Sequence, residues 1–180
     1  MNNHENDFQI LRIVIASNIS GTVLADYALP EWTYIKEDKA IARLFQTLMS
    51  IPKEFDNESL RQVSFKVGEE SMPQVSRHSN AGIQNTNLNL AMTMKNDIIV
   101  GLFYSVEDED QIPKLYSTFQ SLTEQLYEKF AEDHLDFYLS IRAELEKAFQ
   151  LSEDLPVEIN RRFATFVDKI PALLHEHNYC

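Results

Sequence analysis

The stretch Arg12–Leu29, RIVIASNISGTVLADYAL, places apolar runs on either side of Asn18-Ile19-Ser20-Gly21. No other feature limits the possible folds as strongly. Phe8 to Ser17 is rich in β-branched residues and reads as a strand buried on both faces in its middle. Asn, Ser and Gly in the connection favour a turn. Thr22 to Leu29 reads as a second strand, with Val23, Ala25 and Tyr27 alternating against Thr22, Leu24 and Asp26. The opening stretch is therefore expected to be a β-hairpin. Its first strand is central in a sheet, and its second is the better candidate for an open edge, with Thr22 and Asp26 outward.

The rest of the chain supplies partners for that hairpin. Pro30 ends the second strand, and Asp38 can cap a helix carrying Ala40, Ile41, Leu44, Phe45, Leu48 and Met49 at helical spacing, which Pro52 ends. Leu60 to Val67 alternates as a strand. Gly68 to Thr86 is a long polar loop. Asn87 to Met94 and Ile98 to Ser105 form a second hairpin across Lys95-Asn96-Asp97. Acidic residues Glu107 to Asp110 then open a helix, where they complement its dipole. Its stripe runs from Ile112 through Leu115, Phe119, Leu122 and Leu126 to Phe130. A further helix is expected from about His134 to Phe149, with Tyr138, Ile141, Leu145 and Phe149 on one side. A last helical stretch runs from Pro156 to Leu174, where Pro171 kinks it or starts a new turn.

The expected order is β-β-α-β-β-β-α-α with an extra C-terminal helix. This is an α+β domain with a five-stranded antiparallel sheet and flanking helices. Residues 1–133 are expected to hold the sheet domain, and 134–180 a helical extension packed on it or on a partner.

Composition narrows the function classes. The chain has 180 residues, enough for one sizeable core, and a formal charge of −12 from 28 acidic and 16 basic residues. A nucleic-acid or anionic-membrane binder needs a basic face, and no Lys/Arg cluster occurs. No apolar run is long enough to span a bilayer, and the first residues carry no secretory pattern. The single cysteine, Cys180, permits no intrachain disulfide. A cytoplasmic protein is the expected class.

Motifs for chemistry are sparse. The four glycines form no phosphate-binding loop, and there is no nucleophile elbow. His175, His177 and Cys180 lie close together but fit no zinc spacing, and a frayed tail is the simpler reading. Glu107 to Asp110 lacks the alternating ligands of a calcium loop. Glu69, Glu70, Arg77 and His78 sit in the long polar loop and read as solvated. Trp32 and Tyr34, in PEWTYIKED, have two readings: Trp32 packs as a cover over the first helix, or the pair forms an aromatic anchor for a protein partner. No catalytic residue, metal site or cofactor is expected.

The element order resembles the longin domain. LRIVIASNISGTVLADYAL is similar to the first hairpin of longin-type SNAREs and small clathrin-adaptor subunits. LAMTMKNDIIVGLFYSVEDEDQIPKLYSTFQSLTEQLYEKF resembles the longin strand-turn-strand-helix segment, with an acidic stretch and a helix ending in Leu-x-x-x-Phe. The resemblance covers roughly residues 8–130. The chain departs from that pattern in the long Gly68 to Thr86 loop and in the helices from His134 onward. It shows no sustained heptads of a fusion-competent SNARE. The resemblance implies a non-catalytic scaffold of the longin, roadblock and profilin-like group. Such a scaffold is a dimer or adaptor linked to small GTPases or membrane trafficking, with Thr22, Asp26, Trp32 and Tyr34 as the partner-binding residues. A small-ligand sensor of the profilin-like or PAS-like kind is the alternative, since an antiparallel sheet with helices can enclose an apolar pocket.

Overall fold

The computed structural model describes residues 8–32, 40–41, 43–45, 47, 87–151, 156–177 and 179, and residues 62–66 by their backbone. Tyr34, Glu69, Glu70, Arg77, His78, Cys180 and the whole Gly68 to Thr86 stretch lie outside the described residues.

Both expected hairpins are present. Strands β1 (Phe8–Ser17) and β2 (Val23–Ala28) pair antiparallel, as do β4 (Asn87–Lys95) and β5 (Ile98–Val106). The first turn is closed by the Ser17 N–H donating to Thr22 O at 2.9 Å and the Gly21 N–H to Ser17 O at 2.8 Å. Gly21 has φ 63°, a left-handed conformation open to glycine without strain. The second turn carries φ 51° at Asn96 and 61° at Asp97. Two successive left-handed residues match the twist of the flanking strands, and Asn and Asp tolerate them best after glycine.

β1 also pairs antiparallel with β5, and the backbone of β3 (Gln62–Lys66) pairs with β4. The strand order is β2-β1-β5-β4-β3. β1 is therefore internal, and Ile10 to Ser17 are all buried. One strand burying both faces needs a layer on each side of the sheet.

One layer is helical residues between 40 and 47, here α1. Ile41 and Phe45 are buried against Leu11, Val14, Leu90, Met92, Ile99 and Phe103. Phe45 sits so close that a Cβ on Gly101 of β5 would lie 2.3 Å from its Cζ. The other layer is α2 (Ile112–Ser140), whose Phe119, Leu122, Leu126, Phe130 and Tyr138 face the sheet. Asp108 caps the 3₁₀ turn Glu109–Gln111 that leads into α2, accepting the Asp110 N–H at 3.1 Å. The acidic stretch is thus a helix entry, as its composition predicts.

Two expectations about the C-terminal half are corrected. α2 runs without a break through His134, so the expected boundary at 133/134 falls inside a helix. The break comes at Ile141, after which α3 (Arg142–Leu151) begins. Nothing in Ala131-Glu132-Asp133 stops a helix; at the observed end the Ser140 hydroxyl donates to Phe137 O at 2.7 Å beside the Ile141 N–H at 3.1 Å. Phe149, expected on the buried side, is 53% exposed. The last stretch divides into α4 (Val157–Ala164), a 3₁₀ turn (Val167–Lys169) and α5 (Ile170–Glu176), with Pro171 in the first turn of α5, where its missing N–H is not needed. These helices pack on their own chain. Phe163, Phe166, Ile170 and Leu174 join Ile13, Leu24, Phe130 and Tyr138 in one core.

Candidate functional site

The sheet edge formed by β2 is the candidate site. Its outward presentation is set by three residues: Arg12, Asp26 and Trp32. Arg12 follows an irregularity in β1 at Leu11, where the register against β5 shifts between Ile10 and Arg12. Arg12 shares the face of Val14, the α1 side of the sheet, and is 3% exposed. A buried cation needs a counter-charge. Asp26 of β2 supplies it through a two-pronged contact, with Arg12 Nε to Asp26 Oδ1 at 2.8 Å and a second bond to Oδ2. Asp26 is thus half-buried and engaged within the chain, not directed outward as its place in the alternation suggested.

Leu29-Pro30-Glu31-Trp32 is a β-turn, closed by the Trp32 N–H donating to Leu29 O at 3.0 Å, with Pro at its second position. The turn folds Trp32 back over the sheet. Its ring lies 4.9 Å from Phe103 of β5 and 5.2 Å from the Arg12 guanidinium. Trp32 therefore covers the Arg12–Asp26 pair and the β5 surface. The sequence places Trp32 as a cover over the first helix; these ring contacts are to β5 and to Arg12 of β1. Thr22 is half-buried, and its Oγ1 accepts from Ser20 Oγ at 2.9 Å. Tyr34 lies outside the described residues. The structure thus brings Arg12, Asp26 and Trp32 together, and the residue missed by sequence reading is Arg12. Its signal was present: a lone arginine inside ILRIVI must find an acid, and Asp26 is the acid in the adjoining strand.

β2 is last in the strand order on its side, so its outer backbone edge is unpaired among the described residues. The Leu29 N–H donates inward to Leu11 O at 2.9 Å. Backbone groups alternate along a strand, so the Tyr27 N–H also faces β1 while those of Ala28 and Asp26 face away. Ala28 is exposed. α4 and the following 3₁₀ turn lie against β2.

The remaining candidates are dispersed. His175 is exposed on α5, and the His177 ring lies 6.2 Å from that of Tyr179. These two residues border a shallow groove of about 350 Å³ with Ser117, Ser121 and Gln125 of α2. Among the described residues no group of three or more His, Cys, Asp or Glu side chains could hold a metal ion. No described helix is long and apolar enough to cross a membrane. Two buried polar atoms, Tyr104 Oη and His134 Nδ1, have no hydrogen-bond partner among the described residues. Burial, with a smaller contribution from Tyr116, pushes the Tyr104 hydroxyl up to about 12.

No protein-family model, curated protein or solved structure matches the chain.

Proposed function

We propose that the chain is a non-catalytic protein–protein interaction scaffold of longin-like type, a subunit or adaptor in small-GTPase regulation or membrane trafficking. The observation that carries this reading is the place of β2 at the end of a twofold-covered antiparallel sheet. An edge strand offers a row of backbone donors and acceptors to which a partner strand can add. The Arg12–Asp26 pair and Trp32 hold that edge in place without needing to touch the partner. The longin-like order of elements supports a second longin or roadblock sheet, or a small GTPase, as the partner.

The test uses Ala28→Pro. Proline at an outward-facing position removes a docking donor and leaves the β1 ladder intact. Light scattering over a range of concentrations, together with titration against purified small GTPases in both nucleotide states, reads the association. The expected result is a dimer or a GTPase complex that weakens at least tenfold in Ala28→Pro, with an unchanged circular dichroism spectrum. A full chain that stays monomeric and binds none of the GTPases overturns the reading.

A further inference from the structure

His134 lies in the middle of the interface between α2 and the C-terminal helices. Its ring centroid is 5.0 Å from Phe130 on its own helix, 5.8 Å from Phe163 of α4 and 6.2 Å from Phe166 just before the 3₁₀ turn. The residue is 6% exposed, and its Nδ1 is buried without a hydrogen-bond partner among the described residues. A histidine used only for packing would be served better by phenylalanine, which leaves no polar atom to desolvate.

We propose that His134 is the pin of an acid-operated latch: neutral, it holds α4, the 3₁₀ turn and α5 against α2, and protonated, it releases them. Burial is the main cause of that direction, and of the charged groups facing it Asp133 acts most strongly and favours the positive form. Arg162 of α4 and Lys169 of the 3₁₀ turn both oppose a positive imidazole, and Asp133 on α2 alone favours it. Asp133 is already engaged by Lys169 in an ion pair across the same interface. That hydrogen bond holds the Asp133 carboxyl below its ordinary 3.8, so the pair stays charged at the pH where His134 titrates.

Burial lowers the His134 pKa from its ordinary 6.5. The unfolded or undocked segment then binds a proton more readily than the docked one. The docked state is fully stabilised above pH 6.5 and loses stability as pH falls from there towards the lowered value. One proton changes the docking equilibrium by at most about tenfold per pH unit in that window. Release uncovers Phe163, Phe166, Ile170 and Leu174, together with the β2 side of the core that they seal.

Hydrogen exchange of the full chain, referred to intrinsic rates at pH 7.5, 6.5 and 5.5, tests the latch. Amides in 157–176 are expected to lose up to about tenfold protection per pH unit below 6.5, while β1 and β5 keep theirs. His134→Leu should flatten that response. The double variant His175→Gln/His177→Gln, which removes the exposed histidines of α5 and its end, should behave as the parent. A flat parent profile, a slope that survives in His134→Leu, or an equal loss across β1 and β5 overturns the proposal. A magnetic-resonance titration of the parent chain gives an answer even if the leucine variant does not fold. His134 should titrate below 6.5, with the Phe163 and Phe166 signals moving in step, and titration at or above 6.5 overturns the latch.

Discussion

Tyr104 and Tyr138 have the same side chain, are both fully buried and have opposite fates. The Tyr138 hydroxyl lies 2.9 Å from Ser17 Oγ and donates to Asp97 O at 3.2 Å, tying the end of α2 to both hairpin turns. The Tyr104 hydroxyl has no partner among the described residues, and its ring packs 4.4 Å from Phe119. Removing a bonded hydroxyl strands its partners, while removing an unbonded one abolishes a desolvation penalty. Tyr138→Phe should therefore lower unfolding stability by about 1–2 kcal/mol. Tyr104→Phe should leave it unchanged or raise it by up to about 1 kcal/mol. Urea denaturation of the two variants beside the parent chain checks both values, and a loss above 1 kcal/mol in Tyr104→Phe would show that its hydroxyl is bonded after all.

Among the elements, α1 and β5 meet closely at Gly101. A methyl group on Gly101 would overlap the Phe45 ring, so Gly101→Ala must push α1 off the sheet or rotate Phe45. Overpacking of this kind costs about 1–3 kcal/mol. Gly101→Ala is expected to fall in that range by thermal denaturation, and Phe45→Leu in the same chain should restore part of the loss. The sequence made the strands and the first turn of α2 legible, because Ile13, Val14 and Ile15 alternate faces and Asn96-Asp97 is a left-handed pair. It did not reveal where α2 ends. His134 and Tyr138 continue the stripe of Phe130 at i, i+4 and i+8, so the periodicity runs past residue 133 and marks no stop there. Nor did it show Asp26 turned towards Arg12, since that contact depends on the β1–β2 register, which sets Asp26 opposite Val14 on the face of Arg12 and shifts only between Ile15 and Ala16. Trp32 was legible only as two readings. The turn at Pro30 places the ring on Phe103, a contact neither reading named.

For the whole molecule, the helices beyond residue 133 are part of the main core. Tyr138, Ile141, Leu145, Phe163, Phe166, Ile170 and Leu174 are all buried in the cluster built on β1 and β5. Losing all seven of these large core side chains together removes more than the total stability of a domain, about 5–15 kcal/mol. A chain ending at Asp133 should accordingly show no cooperative urea transition and a flattened near-ultraviolet circular dichroism spectrum. A cooperative transition in that truncated chain would mean that the sheet and the first part of α2 fold without the rest.

The strand order has a consequence for how the chain is made. β1 is flanked by β2, which follows it immediately, and by β5, which lies some eighty residues further along. At about 5–20 residues per second, a ribosome presents β1 roughly 4–16 s before its second neighbour has emerged. Through that interval β1 is sealed on one edge only, and α2, which follows β5, cannot yet close the face it covers. The first hairpin therefore spends its early life as an unfinished template, and the nascent chain needs either a chaperone over Ile10 to Ala16 or a slow approach to the native sheet.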